Sequence, residues 1–168
     1  MKRLLLPLLV VVLVLAVAGP ASANPSNLTP ELLADYDVTV AQLARISTGD
    51  FPNGTWQPLE SVTRGEAVKM AVRVDGIKLA NPKIPSYTDV LRSDPLYKYV
   101  EGATAAGWVS GVGDGSFQPG GPIAGVALQA MIAVRLGYDL DPAYTYGSNP
   151  LSRIEAASML LHSTPLAP

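Results

Sequence analysis

One segment of this 168-residue chain returns twice, and that repetition constrains the fold more than any single motif does. A shift of 61 residues lays Gly54-Thr55-Trp56-Gln57-Pro58 on Gly115-Ser116-Phe117-Gln118-Pro119. Without a gap it also lays Val62 on Ile123, Ala67 on Leu128, Met70 on Met131, Ala71 on Ile132 and Gly76 on Gly137. A shift of 89 lays Val62-Thr63-Arg64-Gly65-Glu66-Ala67 on Leu151-Ser152-Arg153-Ile154-Glu155-Ala156, and Met70 on Met159. Units repeated in this way bury their apolar faces against one another, so the copies share one core.

The shared segments read as helices. Ala67, Met70, Ala71 and Val74 stand at i, i+3, i+4 and i+7, and Leu128, Met131, Ile132 and Ala156, Met159, Leu160 repeat the first three positions. Helices are therefore expected over 63–75, 124–136 and 152–161, with the three methionines as core filler rather than metal or redox ligands. Gly76 and Gly137 are expected C-caps. Upstream of the first copy, Thr29-Pro30 starts a second helical stretch, with Leu28 and Leu33 as a hydrophobic staple and Leu33, Tyr36, Val40 and Leu43 as its apolar stripe. Upstream of the second, Asp94-Pro95 leads into a stripe of Leu96, Tyr99, Val100 and Ala103. Asn53-Gly54 and Gly113-Asp114-Gly115 make the intervening turns, and Trp56 and Phe117 plug each unit's core. The third copy has no room for a first helix, because Pro142, Gly147 and Pro150 break the stretch before it. The fold class is mostly α, with two complete helix-turn-helix units and one truncated unit.

The N-terminus is of a different kind. Lys2 and Arg3 precede an apolar run over 4–18, then Gly19, Pro20 and the small residues Ala21-Ser22-Ala23. This is the pattern of a secretory signal peptide over 1–23. The run is short of the ~20 residues a spanning helix needs, and Pro7 interrupts it. Its removal leaves 145 residues, 24–168, enough for one domain, with ten basic against fourteen acidic side chains and a net charge of −4. That balance argues against nucleic-acid binding, and no later segment approaches membrane-spanning length. The chain has no cysteine, which excludes a lipid-anchored cysteine, disulfides and thiol chemistry.

These motifs resemble the S-layer homology family, whose repeats run from an aromatic-x-Asp-Val opening through a helix, a Gly-x-x-Asp-Gly-x-Phe-x-Pro turn and a second helix headed Ile-Thr-Arg-Ala-Glu. Tyr87-Thr88-Asp89-Val90, the helix over 99–110 and the turn from Gly111 to Pro119 match almost a whole repeat. The helix head is best kept as Val62-Thr63-Arg64-Gly65-Glu66 and Leu151-Ser152-Arg153-Ile154-Glu155. In the second copy it reads Ile123-Ala124-Gly125-Val126-Ala127, with the arginine and the glutamate both gone. The resemblance implies a pseudo-threefold helical bundle, with repeats at about 28–78 and 86–139 and a partial third at about 140–165. It also implies export to the cell surface and non-covalent attachment to the wall. The ligand would be a secondary cell wall polymer or peptidoglycan-linked polysaccharide, often one bearing ketal-linked pyruvate. The alternative is a structural or protein-interaction component of the surface, with a surface-protein partner.

The candidate site residues are Arg64 and Arg153, with Thr63, Ser152 and Trp108. Thr63 and Ser152 also suit N-caps, with Glu66 and Glu155 closing capping boxes. The arginines fall at the first helical position, where the helix dipole opposes a cation by ~0.3–1 kcal/mol. A cation placed there twice suggests a site in which an anion meets the free N–H groups and the guanidinium together. The competing account pairs each arginine with an acid of a neighbouring repeat. Trp108 either offers a face to a sugar ring or is a partly buried structural residue. Gly113-Asp114-Gly115 lacks the ligands of a calcium loop and reads as a turn. His162 is the sole histidine, and no nucleophile elbow, metal-ligand spacing or phosphate loop occurs, so no enzyme, cofactor or metal is expected. Intact-mass measurement of the exported protein should give a chain beginning at Asn24; a product retaining 1–23 would contradict the signal-peptide reading.

Overall fold

The computed structural model describes residues 27–47, 56–137 and 147–163. The signal segment, the turn at Asn53-Gly54 and most of the stretch joining the second and third copies lie outside the described residues. Among those described there are six helices and no strand: α1 (Pro30–Asp35), α2 (Val40–Ile46), α3 (Arg64–Asp75), α4 (Tyr97–Ala105), α5 (Gly125–Leu136) and α6 (Arg153–His162).

The three repeated helices fall where their apolar spacing puts them. α3, α5 and α6 begin one residue after 63, 124 and 152, because Thr63, Ala124 and Ser152 are their N-caps in extended backbone. Both expected capping boxes form: Thr63 exchanges hydrogen bonds with Glu66, and Ser152 with Glu155. Ala124 has no side chain to offer, so α5 carries no such cap. Gly76 and Gly137 end α3 and α5 at φ 67° and 72°, left-handed backbone that costs glycine little. Met70 and Met131 are buried, and Met159 is half-buried against the same core.

The upstream stretches depart from the expected pattern. The first is two short helices rather than one continuous stripe. Thr29 caps α1 by accepting the Leu32 N–H, but the chain turns at Asp37, whose φ is 51°, and Thr39 with Gln42 builds a fresh capping box for α2. The break drops Val38 into the core and lets its N–H reach the Leu33 carbonyl. Leu28 is buried and Leu33 packs beside the core, as a staple requires. In α4 the buried aromatic is Tyr97 rather than Tyr99, because the Tyr97 hydroxyl donates to the Pro82 carbonyl at 2.8 Å and the ring therefore enters the core with its polar end satisfied. Val100 and Ala103 are buried as expected, while Leu96 and Tyr99 sit at the margin.

At the centre, the three copies are tied head to head. Val62 N–H donates to the Leu151 carbonyl at 2.9 Å, Leu151 N–H to Ile123 at 2.9 Å, and Ile123 N–H to Val62 at 3.1 Å. The three residues are buried, so these groups have no water to turn to and the closed ring satisfies them mutually. Around it, α3 packs against α2, α4 and α6, and α5 against α6. Trp56 and Phe117 are fully buried, as core plugs should be.

The Tyr87-Thr88-Asp89-Val90 opening has a mechanical role in this arrangement. Asp89 Oδ1 accepts the Phe117 N–H at 2.8 Å and Oδ2 the Gln118 N–H at 2.7 Å. Thr88 N–H donates to the Gly115 carbonyl, and Asp114 closes the turn on the N–H and hydroxyl of Ser116. The glycine-rich segment is thus a hydrogen-bonded turn clamped by a distant carboxylate, and the clamp delivers Phe117 to the core. Asp89→Ala should lower stability by about 1–3 kcal/mol in chemical denaturation, the range for losing charge-assisted bonds, and Asp89→Asn by less.

Candidate functional site

Each helix head inserts its first N–H groups into the neighbouring unit. Arg64 N–H donates to Gly121 and Gly65 N–H to Pro119; Arg153 N–H donates to Glu60 and Ile154 N–H to Pro58; Gly125 N–H donates to Asn149 and Val126 N–H to Gly147. This corrects one expectation. The N–H groups that would greet an anion at a helix start are already taken by carbonyls, so only the arginine side chains remain for one.

The two arginines occupy equivalent positions and have different partners. Arg153 Nη2 pairs with Glu66 Oε1 at 2.9 Å, and its Nη1 donates to the Gln57 carbonyl at 3.2 Å. The pair is well enclosed, with side-chain exposures of 14% and 21%. Glu66 Oε2 meanwhile accepts the Thr63 N–H at 2.9 Å, so one carboxylate caps α3 and neutralises the head of α6. Burial alone would raise the Glu66 pKa, but the Thr63 N–H and then Arg153 more than offset it, holding the carboxyl below its usual range. For Arg153 the arrangement is the ion pair with a neighbouring repeat's acid.

Arg64 has no such partner among the described residues. Its Nη2 donates to the Ser110 carbonyl at 2.9 Å, its guanidinium lies 4.7 Å from the centroid of the Phe117 ring, and its buried Nε has no acceptor. Burial lowers its pKa from the ordinary arginine value, with Tyr87 partly opposing the shift. The side chain borders a groove of about 270 Å³ whose other walls include Val68, Trp108, Val109, Ile123 and Ala127. The structure therefore brings Arg64 and Trp108 together. Thr63 and Ser152 spend their hydroxyls as caps, and neither lines the groove. Ser110 carries no mark in the sequence pattern, and Ala127, marked there only as the lost glutamate of the second head, also lines the groove.

A second polar cluster imitates a catalytic arrangement. Ser158 Oγ lies 3.3 Å from His162 Nδ1, and His162 Nε2 lies 3.3 Å from Asp37 Oδ2. The chemistry is absent, because Ser158 donates its proton to the Tyr36 carbonyl and Nδ1 faces the Ser158 carbonyl at 2.9 Å, which calls for a protonated nitrogen rather than a base. The cluster fastens the C-terminal end of α6 to the α1–α2 corner. Among the described residues no group of acids and histidines is placed to hold a metal ion.

The S-layer homology domain family matches residues 86–123, the segment from the Asp89 clamp through α4 and the turn to the second helix head. The chain contains an S-layer homology domain. It is 32% identical over 168 residues to the middle cell wall protein of Brevibacillus brevis, covering 95% of this chain and 16% of that protein. It is 29% identical over 145 residues to a surface layer protein of Brevibacillus choshinensis, covering 83% of this chain and 13% of the relative. An uncharacterized cell wall amidase of Bacillus anthracis is 28% identical over 125 residues, or 68% of this chain and 23% of its own length. The chain thus spans less than a quarter of each of these curated relatives.

The Glu66 ion pair gives the fold a defined acid sensitivity. A carboxyl whose folded pKa is depressed contributes stability that is complete above its unfolded pKa of roughly 4.3 and is lost as pH falls through the lower folded value. Thermal midpoints followed from about pH 7 down to pH 3 should therefore decline on the acid side. Glu66→Gln should start lower and show a shallower decline; an unchanged slope would mean that Glu66 is not a source of the acid response.

Proposed function

We propose that this protein is exported and holds itself non-covalently to the bacterial cell wall by binding an acidic wall polysaccharide, with no catalytic step. The observation that carries the reading is Arg64, a partly buried cation with no counter-ion among the described residues, set in an apolar groove beside Trp108. A guanidinium in such a setting grips a carboxylate more firmly than in water, and the indole supplies a flat apolar surface for a sugar ring. The likeness to proteins named for the cell wall and the surface layer supports the same reading. A pyruvylated saccharide has the required carboxylate. The ring joining Val62, Ile123 and Leu151 is in keeping with a pseudo-threefold bundle with repeats at 28–78 and 86–139 and a shortened third at 140–165.

Arg64 and Arg153 take unequal roles in this reading. Arg64 binds, whereas Arg153 is committed to Glu66 and supports the fold. A second reading, an interaction module without sugar affinity, is favoured by one observation: α5 exposes Val126 and Val134, and Val134 lines the groove.

The test is calorimetric titration of a methyl hexoside carrying ketal-linked pyruvate, alongside co-sedimentation with wall sacculi before and after chemical removal of pyruvate. Arg64→Ala should weaken binding by roughly ten- to a hundred-fold, the equivalent of ~1.5–3 kcal/mol for a charge-assisted contact. Arg64→Lys should restore it only in part, because the two-pronged geometry is lost. Arg153→Ala should instead lower the thermal midpoint. Binding by wild type that survives Arg64→Ala in a folded protein would refute the mechanism, and absence of binding by wild type would favour the interaction module.

A further inference from the structure

We propose that the Arg64 groove is a vacated intramolecular ion-pair position, and that Ala127 is the residue that opens it to a carboxylate brought by the ligand. The proposal rests on the function proposed above and extends it to the determinant of ligand charge.

The repeat supplies its own comparison. Arg64 and Arg153 are both the first residue of a repeated helix, and both heads send their first N–H groups to carbonyls of the next unit. Each guanidinium also donates once to a backbone carbonyl, Ser110 for Arg64 and Gln57 for Arg153. The difference lies in the acid that follows. Arg153 of the third copy reaches Glu66 of the first; continuing in the same sense, Arg64 of the first copy reaches toward the second, where the shift of 61 replaces Glu66 by Ala127. Ala127 does line the Arg64 groove. A methyl group thus stands where the other junction has a carboxylate.

Two consequences follow for the ligand. A partly buried cation without a partner retains part of a desolvation penalty which an incoming anion relieves, so charge matters more here than at an exposed arginine. Phe117 covers one face of the guanidinium and the Ser110 carbonyl takes one Nη2 hydrogen, so a ligand carboxylate would meet the remaining N–H groups at the terminal nitrogens. The walls beside it, Val68, Ile123 and Ala127, are apolar and reward a compact carboxylate carried on a small apolar group over a hydroxyl-rich neutral sugar. The reciprocal change in the second copy, Gly125 where the other copies have arginine, gives the junction facing Glu155 no cation. Among the described helix heads, the Arg64 groove is therefore the one that offers an unpaired cation to a ligand.

The test compares two variants that fill the same space, Ala127→Glu and Ala127→Gln, by titration with the pyruvylated methyl hexoside and with its methyl ester. Wild type should bind the acid at least about tenfold more tightly than the ester. Ala127→Glu should bind the acid at least about tenfold more weakly than Ala127→Gln, since an internal carboxylate competes for Arg64 and repels the ligand. Equal losses in the two variants would mean that bulk rather than charge closes the groove, and would overturn the proposal. A second measurement needs no ligand. Ala127→Glu should raise the thermal midpoint relative to Ala127→Gln, and that gain should vanish when Arg64→Met is added. If wild type fails to bind the hexoside while the Arg64-dependent gain is present, the vacated position stands and the sugar-binding reading falls. If the gain is absent, the vacated position itself is refuted.

Discussion

Three backbone hydrogen bonds hold the architecture together. Val62, Leu151 and Ile123 each donate to one neighbour and accept from the other, and the ring is closed, so removing one copy would leave a buried donor and a buried acceptor without partners. The third copy joins this ring through Leu151, directly before the cap of α6. The ring needs the short extended segment before each helix, and little else. The site inherits its position from this closure, because each helix head docks its first N–H groups on carbonyls of the adjoining unit.

The placement of arginine at a helix N-terminus looks like one anomaly in the sequence and has two explanations in the structure. At Arg153 the unfavourable dipole is offset by Glu66, itself held by the Thr63 N–H, so the residue serves the fold. At Arg64 the same backbone setting carries no carboxylate, and the dipole penalty stands uncompensated within the described residues. Natural sequences tolerate such conflicts chiefly at functional sites. The argument that a site rule overrides a folding rule is therefore not needed at Arg153, and at Arg64 it is the reading proposed above, motivated by the contrast between the two copies.

How much of this is legible in the sequence depends on the range of the interaction concerned. The heads of α3, α5 and α6, the glycine C-caps of α3 and α5, the two Thr/Ser–Glu capping boxes and the burial of Trp56 and Phe117 are set by residues within a few positions of one another, and all are readable. The break at Asp37 is not. Its positive φ is held by the burial of Val38 and by a new cap at Thr39, and a continuous apolar stripe through Tyr36 and Val40 hides both. Tyr97 was passed over for Tyr99 because its acceptor, the Pro82 carbonyl, lies fifteen residues away. The occupation of the helix-start N–H groups by Pro58, Glu60, Pro119 and Gly121 was equally hidden, since periodicity says nothing about which carbonyls a loop will present. The Ala127 substitution was visible as a departure from the repeat, but its meaning required knowing that Glu66 faces an arginine of a different copy.

The second copy shows what a repeat loses and keeps when its chemistry is relaxed. Ala124 cannot cap, Gly125 brings no charge and Ala127 no carboxylate, yet α5 still starts at the equivalent residue and still docks through its first two N–H groups. Those contacts are longer, 3.3 Å to Asn149 and 3.2 Å to Gly147 against 2.8 and 2.9 Å at α3 and 2.9 Å at α6. The backbone ring and the apolar face of Leu128, Met131 and Ile132 are enough to place the helix without its polar head. Folding thus depends on the backbone and the core, leaving the three polar residues of each head free to vary one copy at a time. Loss of the pair in one copy alters two junctions at once, stripping Arg64 of an acid on one side and Glu155 of a cation on the other, so a single degenerate head converts three equivalent junctions into three chemically distinct ones.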